Sequence, residues 1–148
     1  MPSGVRFTPL EFDTKPVGRG APVAVFGYPL GDAVGSGLKL TTGIVSALPD
    51  DRTEGMLLLD CTVNPGNSGG PLCNRHGYCI GMVTAKSGSS QNVDSYGMAR
   101  PAAELEKFAL AKIPNYRAAT RHSTRKLEWH EVDEKVSASV LMVLKMGD

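Results

Sequence analysis

The sequence predicts a mainly β domain, a small antiparallel barrel or sandwich that ends in one helix. Of its 148 residues, 41% are hydrophobic and 21% are charged, which is enough apolar material for one packed core. Short apolar and β-branched runs recur at fairly regular spacing, separated by Gly and Pro. A closed barrel would also hide the hydrogen-bonding edges of such strands.

Six strands and one helix follow from the residue pattern in chain order. The second strand is expected to bend at Gly43, because glycine inside a strand often marks a bend. Pro101 is expected in the first turn of the helix, where proline is tolerated. The strands are expected at residues 21–27, 38–48, 56–61, 71–73, 78–85 and 95–99, and the helix at 101–112.

The composition changes near Ile113, so we divide the chain into a lead-in at 1–16, the barrel with its helix at 17–112 and a tail at 113–148. Residues 116–126 are basic and polar, whereas residues 132–144 are apolar again. The four-residue spacing of Val136, Val140 and Leu144 favours a helix that docks on the barrel together with Trp129. The β-branched content favours a strand. Both alternatives stay open.

Charge and hydropathy exclude two classes of partner. The 16 basic and 15 acidic residues leave a formal net charge of +1, which creates no field for nucleic acid or an anionic membrane. No apolar run approaches the roughly 20 residues that cross a bilayer. The first residues lack the basic and apolar regions of a secretory signal. We therefore expect neither nucleic-acid binding nor a membrane span.

The three cysteines do not form a dense disulfide framework. A three-residue hairpin loop ending at Gly77 would place Cys73 opposite Cys79, so a disulfide between them is geometrically possible. Buried free thiols are the favoured interpretation. A metal set of Cys61, Cys73, His76 and Cys79 is disfavoured, because tight zinc sites usually have two close pairs. No metal and no cofactor is predicted.

The most informative segment is residues 64–72, Asn-Pro-Gly-Asn-Ser-Gly-Gly-Pro-Leu. It places Ser68 among three glycines and two prolines, which make a turn rigid and let a reacting group approach bare backbone amides. Acyl transfer to a serine hydroxyl needs such a turn.

This nine-residue segment resembles the active-site serine motif of trypsin-like proteases of the HtrA/Deg type. Residues 23–31, 42–47 and 81–84 resemble the family's neighbouring strands and turn. The resemblance covers roughly residues 17–112, which correspond to the second of the family's two barrels. It implies a six-stranded antiparallel Greek-key β-barrel and a serine endopeptidase. Residues 132–141 also have a faint similarity to the opening strand of such a protease domain.

The resemblance also implies roles for individual residues. Ser68 would be the catalytic nucleophile, and the backbone N–H groups of Gly66 and Ser68 would form the oxyanion hole. Thr84, Ala85 and Lys86 would form the edge that pairs with an extended polypeptide substrate.

Three residues near Ser68 bear on activation and on substrate preference. Asn67 stands where digestive trypsin-like enzymes carry an aspartate that pairs with a new N-terminus, so zymogen activation of that kind is not implied. Thr62, where a basic-specific pocket would need a carboxylate, is neutral. Asp60 matches an aspartate that HtrA-type proteases also carry. A small or aliphatic residue before the cleaved bond is expected.

The family's catalytic histidine and aspartate belong to the first barrel, so this chain is expected to lack them and to be nearly inactive alone. His76 is expected to point away from Ser68, and His122 and His130 lie in the tail, where solvated histidines are the ordinary case. Three hypotheses follow: a truncated serine endopeptidase, a half-barrel that binds peptides or proteins, and a split enzyme completed by another polypeptide.

An exposed apolar face and self-association are expected of an isolated half. The compartment is unknown from this sequence, although the resemblance suggests the cell envelope or periplasm.

Overall fold

Six antiparallel strands close into a barrel in the computed structural model, which describes residues 8–29, 37–86 and 96–142. The strands are β1 (Pro22–Gly27), β2 (Lys39–Ala47), β3 (Leu57–Asp60), β4 (Pro71–Cys73), β5 (Cys79–Lys86) and β6 (Gly97–Pro101). Their order around the barrel is β1, β2, β3, β6, β5, β4, and β4 pairs again with β1. The predicted mainly β class and antiparallel barrel are confirmed.

Alternation along the strands separates the barrel interior from its outer surface. In β1, Val23 and Val25 point into the interior, whereas Ala24 and Phe26 belong to a second apolar cluster outside it. The interior is filled mainly by β-branched and leucine side chains: Val23, Val25, Val45, Leu57, Leu59, Val63, Leu72, Ile80, Val83 and Ala99. This core holds the turn between β3 and β4 in place.

The irregularity in β2 lies slightly beyond the glycine where we expected a bend. The pairing of β2 with β3 shifts register between Val45 and Ala47. Glycine is required at position 43 for a different reason. A Cβ atom there would collide with the backbone carbonyl oxygen of Asp60. This glycine therefore lets β2 and the end of β3 approach each other closely.

The helix α1 (Ala102–Lys112) begins one residue later than expected, because Pro101 still belongs to β6 with φ −60° and ψ 145°. Residue 95, the first of the sixth expected strand, and residues 30 and 31, at the end of the segment that resembles the family's turn, lie outside the described residues.

Cys73 and Cys79 face each other across β4 and β5, as the hairpin loop requires. The side-chain Oδ1 of Asn74 accepts hydrogen bonds from the backbone N–H groups of His76 and Tyr78, which closes the loop. Both thiols are free and buried. Burial raises the pKa of the Cys79 thiol to about 11 and the pKa of Cys73 well above its ordinary value, so neither is an activated nucleophile.

The tail forms a second helix, α2 (Trp129–Val136), followed by a 3-10 turn at Ser137–Ser139. The helical alternative is thus correct for residues 129–136. Val140 is extended and lies beyond the helix, and Leu144 lies outside the described residues. A capping box between Glu128 and Glu131 stabilises the start of α2. This cap explains why the segment is helical despite its β-branched residues.

Residues 127–142, which we call the C-terminal cover, lie on the outer face of β1 and β4. Val132, Val136 and Val140 pack there against Ala24, Phe26 and Cys73. At 25 cal/mol per Å², burying side chains of this size contributes roughly 1.5 kcal/mol or more each. The outer face of β1 and β4 is therefore covered by the chain itself, whereas Phe108, Leu110 and Ile113, in and just after α1, are exposed.

Candidate active site

Ser68 sits on a turn that several backbone hydrogen bonds hold against the barrel. The N–H of Asn67 donates to the carbonyl of Asn64 at 3.0 Å, and the N–H of Gly70 donates to the carbonyl of Asn67 at 2.9 Å. The N–H of Gly69 donates to the carbonyl of Val83 in β5 at 2.7 Å. The turn is thus fixed both internally and to the neighbouring strand.

Gly66 stands at a position of this turn where only glycine fits. Its φ is +100°, and a Cβ atom there would collide with the backbone carbonyl of Tyr28. The N–H of Tyr28 donates to the carbonyl of Gly66 at 3.2 Å, which joins the turn to the end of β1. The sequence pattern therefore reflects a real backbone requirement.

The two amides predicted to bind an oxyanion lie on either side of Asn67. Within residues 8–29, 37–86 and 96–142, the N–H groups of Gly66 and Ser68 donate to no backbone carbonyl. Both residues line the same cavity and both are exposed. The assignment of these two amides to an oxyanion hole stays a prediction.

Asn67 supports the turn from inside. Its side chain is 2% exposed, its Nδ2 lies 3.5 Å from the carbonyl oxygen of Thr62, and its Oδ1 is buried without a hydrogen-bond partner in the described part of the chain. An amide can donate to that carbonyl, whereas an ionised carboxylate could not. Asn67 therefore stabilises the Ser68 turn through its contact with Thr62.

The hydroxyl of Ser68 donates to the backbone carbonyl of Thr84 at 3.3 Å. Thr84 lies in β5, and its own hydroxyl is 3.4 Å from the carbonyl oxygen of Met98, to which it donates. Ala85 and Lys86 continue β5 and pair with Met98 and Gly97 of β6. The structure thus brings Ser68 beside the first residue of the predicted substrate-binding edge.

A cavity of about 570 Å³ lies over Ser68. The Ser68 turn, the end of β1 and the last residues of the C-terminal cover all line it. Its lining residues are Gly27, Tyr28, Gly66, Ser68, Gly69, Gly70, Pro71, Ser139, Val140, Leu141 and Met142. The lining contains no histidine, aspartate or glutamate from the described ranges.

The three histidines are engaged elsewhere or exposed. His76 lies at the tip of the β4–β5 hairpin, where its Nδ1 is 2.8 Å from the carbonyl of Arg125. The ring of His122 stacks against Tyr78, with its Nδ1 3.9 Å from a carboxylate oxygen of Asp13. His130 is exposed on α2. None of the three lines the cavity that contains Ser68.

A search of the described residues finds no group of His, Cys, Asp and Glu side chains that could hold a metal ion. The helices of the same residues are all too short or too polar to cross a membrane.

Comparison with known proteins agrees with this geometry. A family model for the trypsin-like peptidase domain matches residues 2–82, more than half of the chain and including the whole Ser68 turn. The chain belongs to the trypsin-like peptidase family.

Curated relatives place this trypsin-like chain near the HtrA type. An HtrA-like serine protease of Staphylococcus aureus is 40% identical over 102 residues, covering 60% of this chain and 13% of that protein. Protein y4bJ of Sinorhizobium fredii is 46% identical over 68 residues, covering 45% of this chain and 11% of that protein. The chain therefore spans only about an eighth of these relatives.

Solved structures share the trypsin-like barrel. The serine endoprotease of Yersinia pestis is 29% identical with a TM-score of 0.58, covering 72% of this chain and 36% of that one. The HtrA-type protease AlgW with a decapeptide is 27% identical with a TM-score of 0.56, covering 70% and 33% of the two chains. The predicted resemblance to HtrA-type proteases is confirmed at the level of family and fold.

Sequence reasoning missed one side of the site. Tyr28 and residues 139–142 line the cavity of this trypsin-like barrel, yet no local pattern links them to Ser68. Only the long-range packing of the cover on β1 brings them there. The spacing of apolar residues in the tail indicated docking but not its location.

Proposed function

We propose that this chain is the nucleophile-bearing barrel of a serine endopeptidase. The observation that carries the proposal is the exposed hydroxyl of Ser68 in a cavity that also contains two amides with no backbone acceptor, those of Gly66 and Ser68. A hydroxyl flanked by fixed N–H donors is the arrangement that acyl transfer requires.

In the proposed reaction, a base removes the proton from Ser68 Oγ as the oxygen attacks the carbonyl carbon of a peptide bond. The amides of Gly66 and Ser68 stabilise the negative charge that develops on the carbonyl oxygen. Collapse of this intermediate breaks the C–N bond, and the departing amine takes the proton from the base. Water then hydrolyses the acyl-serine ester and restores the hydroxyl.

The substrate is proposed to be an extended polypeptide that lies along Thr84, Ala85 and Lys86. Backbone pairing with a strand edge positions such a chain without requiring one particular sequence. The carbonyl of Thr84 already contacts Ser68, so a bound backbone at this edge would lie beside the nucleophile. The solved structure of the HtrA-type protease AlgW contains a decapeptide, which is consistent with this substrate class. We propose a small or aliphatic residue before the cleaved bond.

The base is proposed to come from a histidine paired with an aspartate, on sequence preceding this segment or on another polypeptide. The cavity lining contains no such group among the described residues. Loss of a catalytic histidine lowers the turnover of a serine protease by roughly 10⁶. The chain by itself is therefore expected to hydrolyse peptides at a very low rate.

A fluorophosphonate probe tests whether Ser68 can act as the nucleophile. The chain is incubated with the probe alone and with added imidazole, which supplies the missing base, and the modified peptide is identified by mass spectrometry. We expect labelling at Ser68 that rises with imidazole and is absent in a Ser68→Ala variant. If imidazole produces no labelling of Ser68 in the folded chain, the proposal is wrong.

A second candidate is a catalytically inactive half-barrel that binds peptides or proteins. The absence of an ionisable base from the described cavity lining favours it, as does a cavity large enough for several peptide atoms. This candidate predicts that a peptide of about ten residues binds equally well before and after Ser68→Ala, without labelling under any condition. Self-association through an apolar face remains part of both proposals, as does an envelope or periplasmic location.

A further inference from the structure

The C-terminal cover is held firmly at the end that meets the β4–β5 hairpin. The N–H of Leu127 donates to the carbonyl of Arg75 at 2.7 Å, and Arg75 Nε donates back to the carbonyl of Leu127 at 2.6 Å. The guanidinium of Arg75 lies 4.9 Å from the centre of the Trp129 ring. The ammonium of Lys135 donates to the carbonyl of His76 at 3.1 Å.

The opposite end, next to Ser68, has weaker polar contacts, and Val140 is its one buried apolar side chain among the described residues 137–142. Tyr28 donates its hydroxyl to the carbonyl of Val140 at a long 3.3 Å. The Oγ of Ser139 is buried without a hydrogen-bond partner in the described part of the chain, which costs free energy for as long as this end stays closed. Leu141 and Met142 are largely exposed and add little apolar burial.

This end of the cover lines the same cavity as Ser68. A base must come within about 3 Å of Ser68 Oγ to accept its proton. A base carried on a folded protein brings its own backbone and neighbouring side chains with it. The cover lies on the outer face of β1 and β4 beside this cavity, so a folded protein that approached from that face would meet the cover.

We propose that the C-terminal cover is an intramolecular lid that hinges where Leu127 bonds to Arg75, opens by moving Val140 away from Tyr28, and competes with the base-bearing polypeptide for the outer face of β1 and β4. This inference rests on the proposed function only in assuming that Ser68 receives its base from another part of the protein. It predicts that protein-sized groups reach position 68 only when the lid is open, whereas small molecules reach it in either state.

Thiol labelling tests the lid without requiring catalysis. A Ser68→Cys variant is alkylated in parallel with iodoacetamide, which is small, and with a maleimide attached to a small folded protein. Adding Tyr28→Phe removes the hydroxyl that bonds to Val140. We expect the bulky reagent to react about 2- to 10-fold faster, the factor that one net hydrogen bond is worth, with the small reagent unchanged. Tyr116→Phe is the matched control, since its hydroxyl bonds to Glu106 on α1.

A second variant is designed to detach the cover from the barrel more completely. Cys73 reports on the detachment, because its thiol is fully buried beneath the cover. Val136→Asp puts a carboxylate into the apolar contact and should speed alkylation of Cys73 by at least about tenfold. Leu110→Asp, at an exposed position on α1, is the matched control and should leave the rate unchanged. Peptide mapping separates Cys73 from the half-buried Cys61, whose rate serves as the reference.

The outcomes separate the lid from the proposed function. If Val136→Asp exposes Cys73 but does not change the ratio of bulky to small labelling at position 68, the lid proposal is overturned. If Val136→Asp unfolds the barrel, seen as lost far-ultraviolet circular dichroism, the Tyr28→Phe comparison decides alone, and an unchanged ratio there overturns it. If the lid behaves as expected but imidazole never promotes fluorophosphonate labelling of Ser68, the proposed function fails and the lid stands.

Discussion

Glycine substitutions at two positions of the Ser68 turn should separate backbone strain from steric collision. Gly66 and Gly69 have φ values of +100° and +84°, so alanine at either position pays a strain of roughly 1–2 kcal/mol. An added Cβ at Gly69 meets nothing, whereas at Gly66 it collides with the carbonyl of Tyr28. We expect Gly69→Ala to cost only the strain and Gly66→Ala to cost roughly 1–3 kcal/mol more, measured by urea unfolding. Equal losses would show that the turn can move away from Tyr28.

At this scale the sequence predicted the turn and its central residue, because the spacing of glycine and proline around Ser68 is dictated by the backbone itself. It did not predict the surroundings of Asn67. The buried Oδ1 of that side chain, 2.8 Å from where a Cβ of Gly27 would lie, depends on how β1 packs against the turn. This contact joins residues that are 40 positions apart in the chain, so no local sequence pattern predicts it.

The capping box of α2 should make the attachment of this helix depend on pH. Glu131 accepts a hydrogen bond from the backbone N–H of Glu128 at 2.7 Å, and this bond, together with the charge of Arg125, lowers the pKa of Glu131 below its ordinary 4.5. A lowered folded-state pKa means that the stabilisation is complete above the unfolded pKa and is lost as the pH falls through the folded one.

We therefore expect the fluorescence of Trp129, the only tryptophan and the first residue of α2, to change as the pH falls below about 4.5 and the helix loosens. Glu131→Gln should weaken α2 at neutral pH and flatten this transition, whereas Glu134→Gln, exposed on the same helix, should preserve it. A transition of the same size in both variants would assign the pH dependence to another group.

Elements were predictable where their own residues decide the structure. Alternation and β-branched content located all six strands, and the helix at 101–112 was correct to within one residue. The tail stayed ambiguous because α2 has only 8 residues, too few for helix propensity alone to be decisive. Its apolar side is stabilised by Ala24 and Phe26 on the barrel, so the helix depends on contacts that lie about 100 residues away in the chain.

The whole molecule combines two units of different stability, and hydrogen exchange should distinguish them. The barrel strands form a closed ladder in which every strand has two paired neighbours, so their amides should open only on global unfolding. The cover is attached to the barrel through one apolar cluster and is not part of the strand ladder, so α2 and residues 137–142 should open in a separate step at lower free energy. We expect exchange followed by mass spectrometry to give markedly lower protection for 129–142 than for β1 and β5. The difference in protection between the cover and the strands should increase in the Tyr28→Phe variant and stay constant in the Tyr116→Phe variant. Equal protection of the cover and the strands would mean that the face of β1 beside Ser68 is uncovered only when the barrel unfolds, and a base carried by a folded polypeptide could then not reach Ser68 from this side in the native chain.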